Sequence, residues 1–316
     1  MRYKQFGKTG MQVSEMALGT WGIGCVGWDS NPEETRLDAV RAAVESGVTF
    51  FDTAPAYNAG AAEKVLGKAL RDMGARKDVV ISTKCGNEYV NGGYVRDGDP
   101  AKILRECEES LRNLQTDYID LYLVHWPDPN TPFEATMDAL NRLKKEGKIL
   151  HVGVSNFSRQ QMEEAGQYCE IEAFQPHYSM VNRGSEELMR WAAEQGMGIM
   201  TYGSLGGGIL TGAYRTLQHF DPKDNRSRFY KHFQEPEFSR IMALLEKMDR
   251  FSADHGGVPL AQIALNWCAA KPFVSSCIVG AQSRAKVAQN CAAFDWELTA
   301  EETALLDKAV EECLDA

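Results

Sequence analysis

The feature that constrains this chain most is a rhythm. Short apolar runs alternate with amphipathic stretches eight times along 316 residues, with no linker or low-complexity break between them. Apolar runs of a few residues read as buried strands, and apolar positions recurring every three to four residues read as helices. The pattern predicts strands at 15–20, 50–52, 79–84, 118–125, 149–154, 173–175, 197–202 and 276–279. It predicts helices from Pro32, at 63–73, from Pro100, from Pro132 to Gly147, at 158–168, 186–194, 237–255, 260–270 and 283–292, and after Thr299. Residues 3–6 and 12–14 flank Gly7-Lys8-Thr9-Gly10 and read as an N-terminal β-hairpin. Eight parallel strands with crossover helices close into a (β/α)8 TIM barrel, and this length suits one. An open doubly wound sheet is the other arrangement for alternating elements. The expectation is one α/β domain over residues 1–316, a barrel with an N-terminal β-hairpin and extra C-terminal helices.

Helix starts are marked by chemistry. Asp99 precedes Pro100, and Ser158 with Gln161 and Thr299 with Glu302 form capping boxes. Asn31-Pro32-Glu33-Glu34 reads as a cap, a proline at the first helical position and a box-closing acid, and Thr131-Pro132-Phe133-Glu134 repeats it.

Composition excludes some partners. The net charge is −10, which argues against a basic nucleic-acid face or a polybasic membrane patch. The N-terminus lacks an apolar signal core, and no run approaches the ~18 apolar residues of a membrane span. The eight cysteines are scattered without a Cys-x-x-Cys pair, which suits reduced, buried thiols in a cytoplasmic protein. The six histidines show no metal-ligand spacing, so no metal is expected.

Gly22-Ile23-Gly24-Cys25-Val26-Gly27 fits the dinucleotide fingerprint G-x-G-x-x-G, with Asp52 about thirty residues on. That mechanism needs a helix N-terminus within the glycines. Here Trp28-Asp29-Ser30 intervene, so the glycines read as a tight loop after the first strand.

Four polar residues stand where apolar strands stop. Asp52 follows Phe50-Phe51, Lys84 closes the third strand, His125 closes the fourth, and Tyr57 lies five residues beyond Asp52. In a barrel such positions share one mouth. Asp52 would pair with Lys84, and the ammonium would lower the Tyr57 pKa from its usual ~10. Tyr57 would then protonate a carbonyl oxygen, and His125 would donate a second hydrogen bond to it. None of these groups supplies a hydride, so a cofactor must. A Schiff-base aldolase acting through Lys84 is a different reading. Its lysine must be neutral to attack, and a carboxylate partner keeps it charged.

Asp52-x4-Tyr57, Ser82-Thr83-Lys84, Leu123-Val124-His125-Trp126-Pro127 and Gly153-Val154-Ser155-Asn156-Phe157 resemble the aldo-keto reductase superfamily, and the likeness runs from Gly19-Thr20-Trp21 to Asn290. The resemblance implies a barrel using NADP(H) or NAD(H) to interconvert a carbonyl compound and its alcohol, as a monomer or small homo-oligomer. A cofactor-binding regulatory subunit, as some members of the superfamily are, is the alternative. The catalytic tetrad falls on Tyr57, Asp52, Lys84 and His125. Ser155, Asn156 and Gln175 match positions that bind the nicotinamide carboxamide, and Tyr202 the one that stacks on its ring. Gly19, Thr20, Trp21 and Asp52 fall beside it.

The glycine-rich run of Gly203, Ser204, Leu205, Gly206, Gly208 and Leu210 follows the seventh strand, where barrels bind phosphate. Gly280, Gln282, Ser283, Lys286, Gln289 and Asn290 match the adenosine end. Gln282 departs from the pattern, since a basic residue is common there. Ser283, Arg284 and Lys286 are left for a 2′-phosphate, so NADP(H) is the first expectation and NAD(H) the second. Trp21, Tyr57, Tyr89, His125 and Trp126 would line the substrate pocket, and Phe229–Tyr230 could reach it. Asn58 and Ala62 stand where glycine and serine are frequent, and losing that serine would remove a helix cap.

Overall fold

A computed structural model describes residues 1–315 apart from 26, 29, 91 and 92. In chain order it contains β1 (Tyr3–Gln5), β2 (Gln12–Ser14), β3 (Met16–Gly19), α1 (Glu33–Glu45), β4 (Phe50–Asp52), α2 (Ala61–Met73), β5 (Val80–Cys85), β6 (Asn87–Val90), β7 (Gly93–Arg96), α3 (Pro100–Leu114), β8 (Ile119–Val124), α4 (Phe133–Lys145), β9 (Ile149–Ser155), α5 (Arg159–Ala165) and β10 (Ala173–Gln175). There follow α6 (Glu186–Glu194), β11 (Gly198–Thr201), α7 (Asn225–Phe229), α8 (Glu237–Asp254), α9 (Leu260–Ala269), β12 (Ser276–Gly280), α10 (Arg284–Cys291) and α11 (Ala300–Leu314).

Eight strands close the barrel in the order β3-β4-β5-β8-β9-β10-β11-β12, every pair parallel. The β1–β2 hairpin precedes it, and α8 and α11 pack together outside the strand–helix repeat. The open-sheet and dinucleotide-fold alternatives fall on this closure. The glycine motif after β3 is a short 3-10 turn, Gly22–Gly24, and α1 starts only at Glu33. Residues 26 and 29 of that stretch lie outside the described residues.

Strand periodicity sorts the side chains. Met16, Leu18, Phe51, Ile81, Tyr122, Val124, Val152 and Val154 belong to the cluster between sheet and helices. Ala17, Phe50, Leu121, Leu123, Ala173, Met200 and Ile278 fill the barrel together with Phe6 and Val13 of the hairpin region. Phe6 is fully buried, edge-on to Phe50 at 5.3 Å between ring centres. A Cβ at Gly198 would lie 2.4 Å from the Phe6 ring, so glycine is what admits this plug. The hairpin therefore closes the N-terminal end of the barrel and leaves the C-terminal end open.

Three local expectations are corrected. The side chain of Asn31 caps nothing; it reaches across to Gln282 Oε1 at 3.3 Å. Thr131 likewise donates to Asp128 Oδ2 at 2.7 Å, so α1 and α4 begin after a proline without a side-chain cap. Ala62 lies within the first turn of α2, whose N-cap is Gly60, so a serine there would not cap the helix. The caps at Ser158 and Thr299 form as expected, and Asp99 caps α3. Two elements escaped the pattern: the β6–β7 hairpin, inserted between β5 and α3, and the short helix α7.

Candidate active site

The inward-facing positions carry the site. Phe50 and Asp52 face the same way along β4, as do Ser82 and Lys84 along β5, and Leu121, Leu123 and His125 along β8 and just beyond it. Toward the C-terminal end the inward positions of these three strands switch from apolar to polar.

At the centre Lys84 is fully buried. Its Nζ donates to Asp52 Oδ1 at 2.9 Å and Oδ2 at 2.8 Å, to the Thr53 carbonyl at 2.8 Å, and to the Tyr57 hydroxyl oxygen at 3.2 Å. Asp52 Oδ1 also accepts from Ser82 Oγ and Gln175 Nε2, both at 2.8 Å. A buried ion pair survives when further hydrogen bonds satisfy its remaining lone pairs, as these do. With its protons placed and no exposed surface, Lys84 has no access to a carbonyl carbon, which removes the Schiff-base reading.

Tyr57 is half-buried on the loop after β4. That loop is shaped by bonds from Tyr57 N to the Ala54 carbonyl and from Asn58 Nδ2 to the Gly24 carbonyl. Asn58 takes φ 57°, a left-handed conformation that asparagine tolerates better than most residues. Burial pushes the Tyr57 phenol well above its ordinary value, and the Asp52 carboxylate adds to this. The expected lowering by Lys84 is thus reversed: the ammonium lies against its own carboxylate, and desolvation decides. His125 stands edge-on to Tyr57 at 6.1 Å. Burial, helped by Lys84, holds its pKa well below 6.5, so the ring is neutral. Asn87 Nδ2 lies 3.5 Å from its Nδ1. When Nδ1 accepts from that amide, Nε2 carries the proton and is a donor.

Around this centre lies an aromatic rim. Trp21 is stacked on Tyr57 at 6.2 Å and edge-on to Trp28 and Phe229 at 5.2 and 5.8 Å. The β6–β7 hairpin supplies the opposite side. Asn87 pairs with Arg96 and Tyr89 with Tyr94, which puts these four side chains on one face. Tyr94 faces Trp21, Tyr89 packs on Tyr94 at 5.1 Å, and the Arg96 guanidinium lies 4.6 Å above the Trp126 ring. Trp28, Asn87, Tyr94 and Arg96 were missed from sequence. The signal was present in Glu88-Tyr89-Val90-Asn91-Gly92-Gly93-Tyr94-Val95, two aromatic and β-branched runs on either side of an Asn-Gly dipeptide.

The groove leading away from the mouth holds the remaining residues. Ser155 Oγ donates to the Gln175 carbonyl at 2.8 Å. Asn156, at φ 62°, donates to the His125 carbonyl at 3.0 Å and accepts from Tyr202 OH at 2.8 Å. His177 lies parallel to Tyr202 at 5.0 Å, and Phe229 is tilted against the same tyrosine at 6.3 Å. Ser204 donates to the Ile278 carbonyl, and Leu205 and Leu210 flank three successive left-handed glycines, Gly206, Gly207 and Gly208. Gly280 pairs with Gly19, and a Cβ added at Gly280 would meet open space.

At the far end, Gln282 donates to the Gly22 carbonyl, Ser283 caps α10, and Asn290 donates to the Gly280 carbonyl at 3.5 Å. Gln289 and Lys286 are exposed. Arg284 pairs with Asp38 and Glu45 on α1, at 2.7 and 2.6 Å, so its guanidinium is engaged by two carboxylates at this end. Among the described residues the Lys286 ammonium has no ion pair or hydrogen bond.

These residues fit a dinucleotide. The hydroxyl of Thr20 and Nε2 of His177 are buried without a partner beside the groove. The glycine run lets backbone approach a pyrophosphate closely.

The aldo/keto reductase family profile matches residues 15–311. The chain is 35% identical to aldo-keto reductase YhdN of Bacillus subtilis, covering 96% of this chain and 91% of that one. It is 31% identical to an NADH-specific methylglyoxal reductase of Escherichia coli, covering 98% and 99%. Its fold superposes on a glycerol dehydrogenase of Gluconobacter oxydans with a TM-score of 0.90 at 30% identity, covering 99% and 96%. This chain belongs to the aldo/keto reductase family and is an NAD(P)-dependent carbonyl oxidoreductase.

Proposed function

We propose that the protein reduces aldehydes or ketones to alcohols, with Tyr57 as the proton donor, and runs the same site in reverse when alcohol and oxidised cofactor prevail. The observation that carries this is the contact from Lys84 Nζ to the Tyr57 oxygen. The ammonium occupies a lone pair of the phenol, so the phenol proton is free to point into the mouth. A carbonyl oxygen placed there accepts that proton and a second hydrogen bond from neutral His125. As the phenol gives up its proton, Lys84 stabilises the phenolate, and Asp52 keeps the lysine oriented. These groups make the carbonyl carbon electrophilic, but they carry no reducing equivalent. NAD(P)H bound in the groove supplies the hydride, and carbonyl, hydride and proton together make the alcohol.

Ser155, Asn156 and Gln175 would hold the carboxamide, Tyr202 the ring, and the Gly203–Leu210 run the pyrophosphate. Thr20, Trp21 and Gly19 would border it, with Asn290 and Gln289 at the adenine. For a 2′-phosphate, Lys286 is the remaining cation and Ser283 a neutral donor. NADP(H) and NAD(H) would therefore both be accepted, with a small preference for NADP(H). The relatives named for methylglyoxal and glycerol support a small substrate. The aromatic rim of Trp21, Trp126, Tyr89 and Tyr94 suits an aromatic carbonyl as well.

The test is NADPH consumption with 4-nitrobenzaldehyde by the purified protein. Absence of turnover by wild type, or equal turnover by Tyr57→Phe, overturns the reading.

A further inference from the structure

Arg96 is unusual for its surroundings. It lies on the mouth-facing side of the β6–β7 hairpin, directly opposite Asn87, whose amide touches His125. Its guanidinium carbon lies 4.6 Å from the ring centre of Trp126, the residue after His125. The chain carries a net charge of −10, yet among the described residues this cation has no ion pair and no hydrogen bond. The acids nearby are already engaged. Glu88 and Asp97 share Lys102 at 2.9 and 3.5 Å. Asp128 accepts from Gly98 N, Asn130 and Thr131, and Asp52 is bound to Lys84.

An exposed arginine is ordinarily just solvated. Here the indole holds the guanidinium beside the mouth, and among the described residues its N–H groups have no acceptor. That is the arrangement that recognises a carboxylate or phosphate bidentately. Tyr89 and Tyr94 on the same face add apolar walls for the body of a substrate.

We infer that Arg96 selects carbonyl substrates that bear an anionic group, a carboxylate or a phosphate, at the end remote from the carbonyl. The inference rests on the reductase reading for its location, because the carbonyl end must meet Tyr57 and His125. Substrate charge and substrate reduction can nevertheless be measured apart.

The experiment compares wild type, Arg96→Gln and Arg96→Lys on paired aldehydes. One pair is 4-carboxybenzaldehyde against 4-nitrobenzaldehyde, and the other is glyceraldehyde 3-phosphate against glyceraldehyde. The readout is the ratio of kcat/KM for the anionic over the neutral member. That ratio falls about tenfold in Arg96→Gln, mainly through KM, and Arg96→Lys restores part of it, as expected for one charge-assisted contact. The pair showing the larger fall identifies carboxylate or phosphate as the preferred anion. A ratio that does not move in either pair overturns the proposal.

Binding supplies a second readout, from quenching of the mouth tryptophans. Benzoate binding weakens in Arg96→Gln relative to benzyl alcohol, and the difference shrinks with added salt. Equal weakening of both ligands overturns the proposal even if turnover is absent. Absence of turnover with all four aldehydes overturns the reductase reading alone.

Discussion

The two ends of the barrel interior are built from the same strands and do opposite things. At the closed end, Phe6, Val13, Phe50, Leu121 and Met200 pack without a charge among them. At the open end, one inward step further along, Asp52, Ser82, Lys84 and Gln175 form a buried polar network around a single ion pair. Phe50 and Asp52 are two residues apart and share a face. The change from apolar to polar happens at the last inward position of the strand. Stability is therefore concentrated at one end and chemistry at the other. A charge pair without exposed surface is tolerated because the packed end holds the ring of strands closed around it.

The strongest way to break this comparison is at Tyr57. Tyr57→Phe removes one oxygen at the open end. It should lower kcat/KM about 10³-fold, within the range of a lost general acid. Because the side chain is half-buried and the ion pair remains, the thermal midpoint should move by only a few degrees. Since burial holds the phenol well above its ordinary pKa, the donor form persists through the neutral range. His125, held neutral by burial and Lys84, adds no titration of its own near pH 7. The kcat/KM for reduction should accordingly be flat from about pH 6 to pH 9. A descending limb near pH 7 would show that some other group donates the proton.

The closed end gives the converse. Phe6→Ala empties the plug beneath Phe50 and should cost about 3–5 kcal/mol in urea unfolding. The tetrad lies at the other end, so kcat/KM per folded molecule should stay within about twofold of wild type. A loss of activity larger than the loss of folded protein would mean that the plug also sets the geometry of the mouth.

Next in size is a pH effect that belongs to the open end alone. Glu106 on α3 sits behind the base of the β6–β7 hairpin and accepts from Gly86 N at 2.8 Å. Burial raises its pKa from 4.5 to about 7, against the opposing pull of that N–H and of Lys102. The folded pKa exceeds the unfolded one, so the folded state binds the proton more tightly. The associated stability is complete below about pH 4.5 and is lost as pH rises through about 7. At ~1.4 kcal/mol per unit, this is at most about 3–4 kcal/mol. Glu106→Gln keeps an acceptor for Gly86 N and removes the titration. The difference in unfolding free energy between variant and wild type should therefore grow in the variant's favour from pH 5 to pH 8. A difference independent of pH would show that Glu106 titrates at its ordinary value.

The barrel and the four strand-end groups were legible because both follow from patterns one residue long. A polar residue closing an apolar run is visible in a line of text, and period 2 then turns Asp52, Lys84 and His125 toward one axis. The β6–β7 hairpin was not legible in that way. Its strands alternate faces within a solvated excursion, so no apolar run marks them, and their meaning depends on Tyr94 and Arg96 reaching Trp21 and Trp126. The direction of the Tyr57 shift was misjudged for a related reason. Sequence points to the pairing of Lys84 with Asp52, but not to the burial of the phenol, which outweighs the ammonium. Arg284 shows the same blindness to partners: it is a free cation in the sequence and a tethered one beside Asp38 and Glu45 in the fold.

That tether sets the smallest prediction. At the exposed rim of the groove, charge acts through water and salt, so its effects are modest compared with those at the buried centre. If Lys286 is the cation that meets a 2′-phosphate, Lys286→Gln should raise KM for NADPH about fivefold relative to KM for NADH, close to 1 kcal/mol. The ratio of the two should lose most of its dependence on ionic strength. Arg284→Gln removes a cation already neutralised by two acids of α1, so it should change protein stability more than that ratio. If Arg284→Gln moves the ratio and Lys286→Gln does not, the Asp38 and Glu45 pairs open when cofactor binds, and the adenosine end of the groove is more adaptable than the catalytic end.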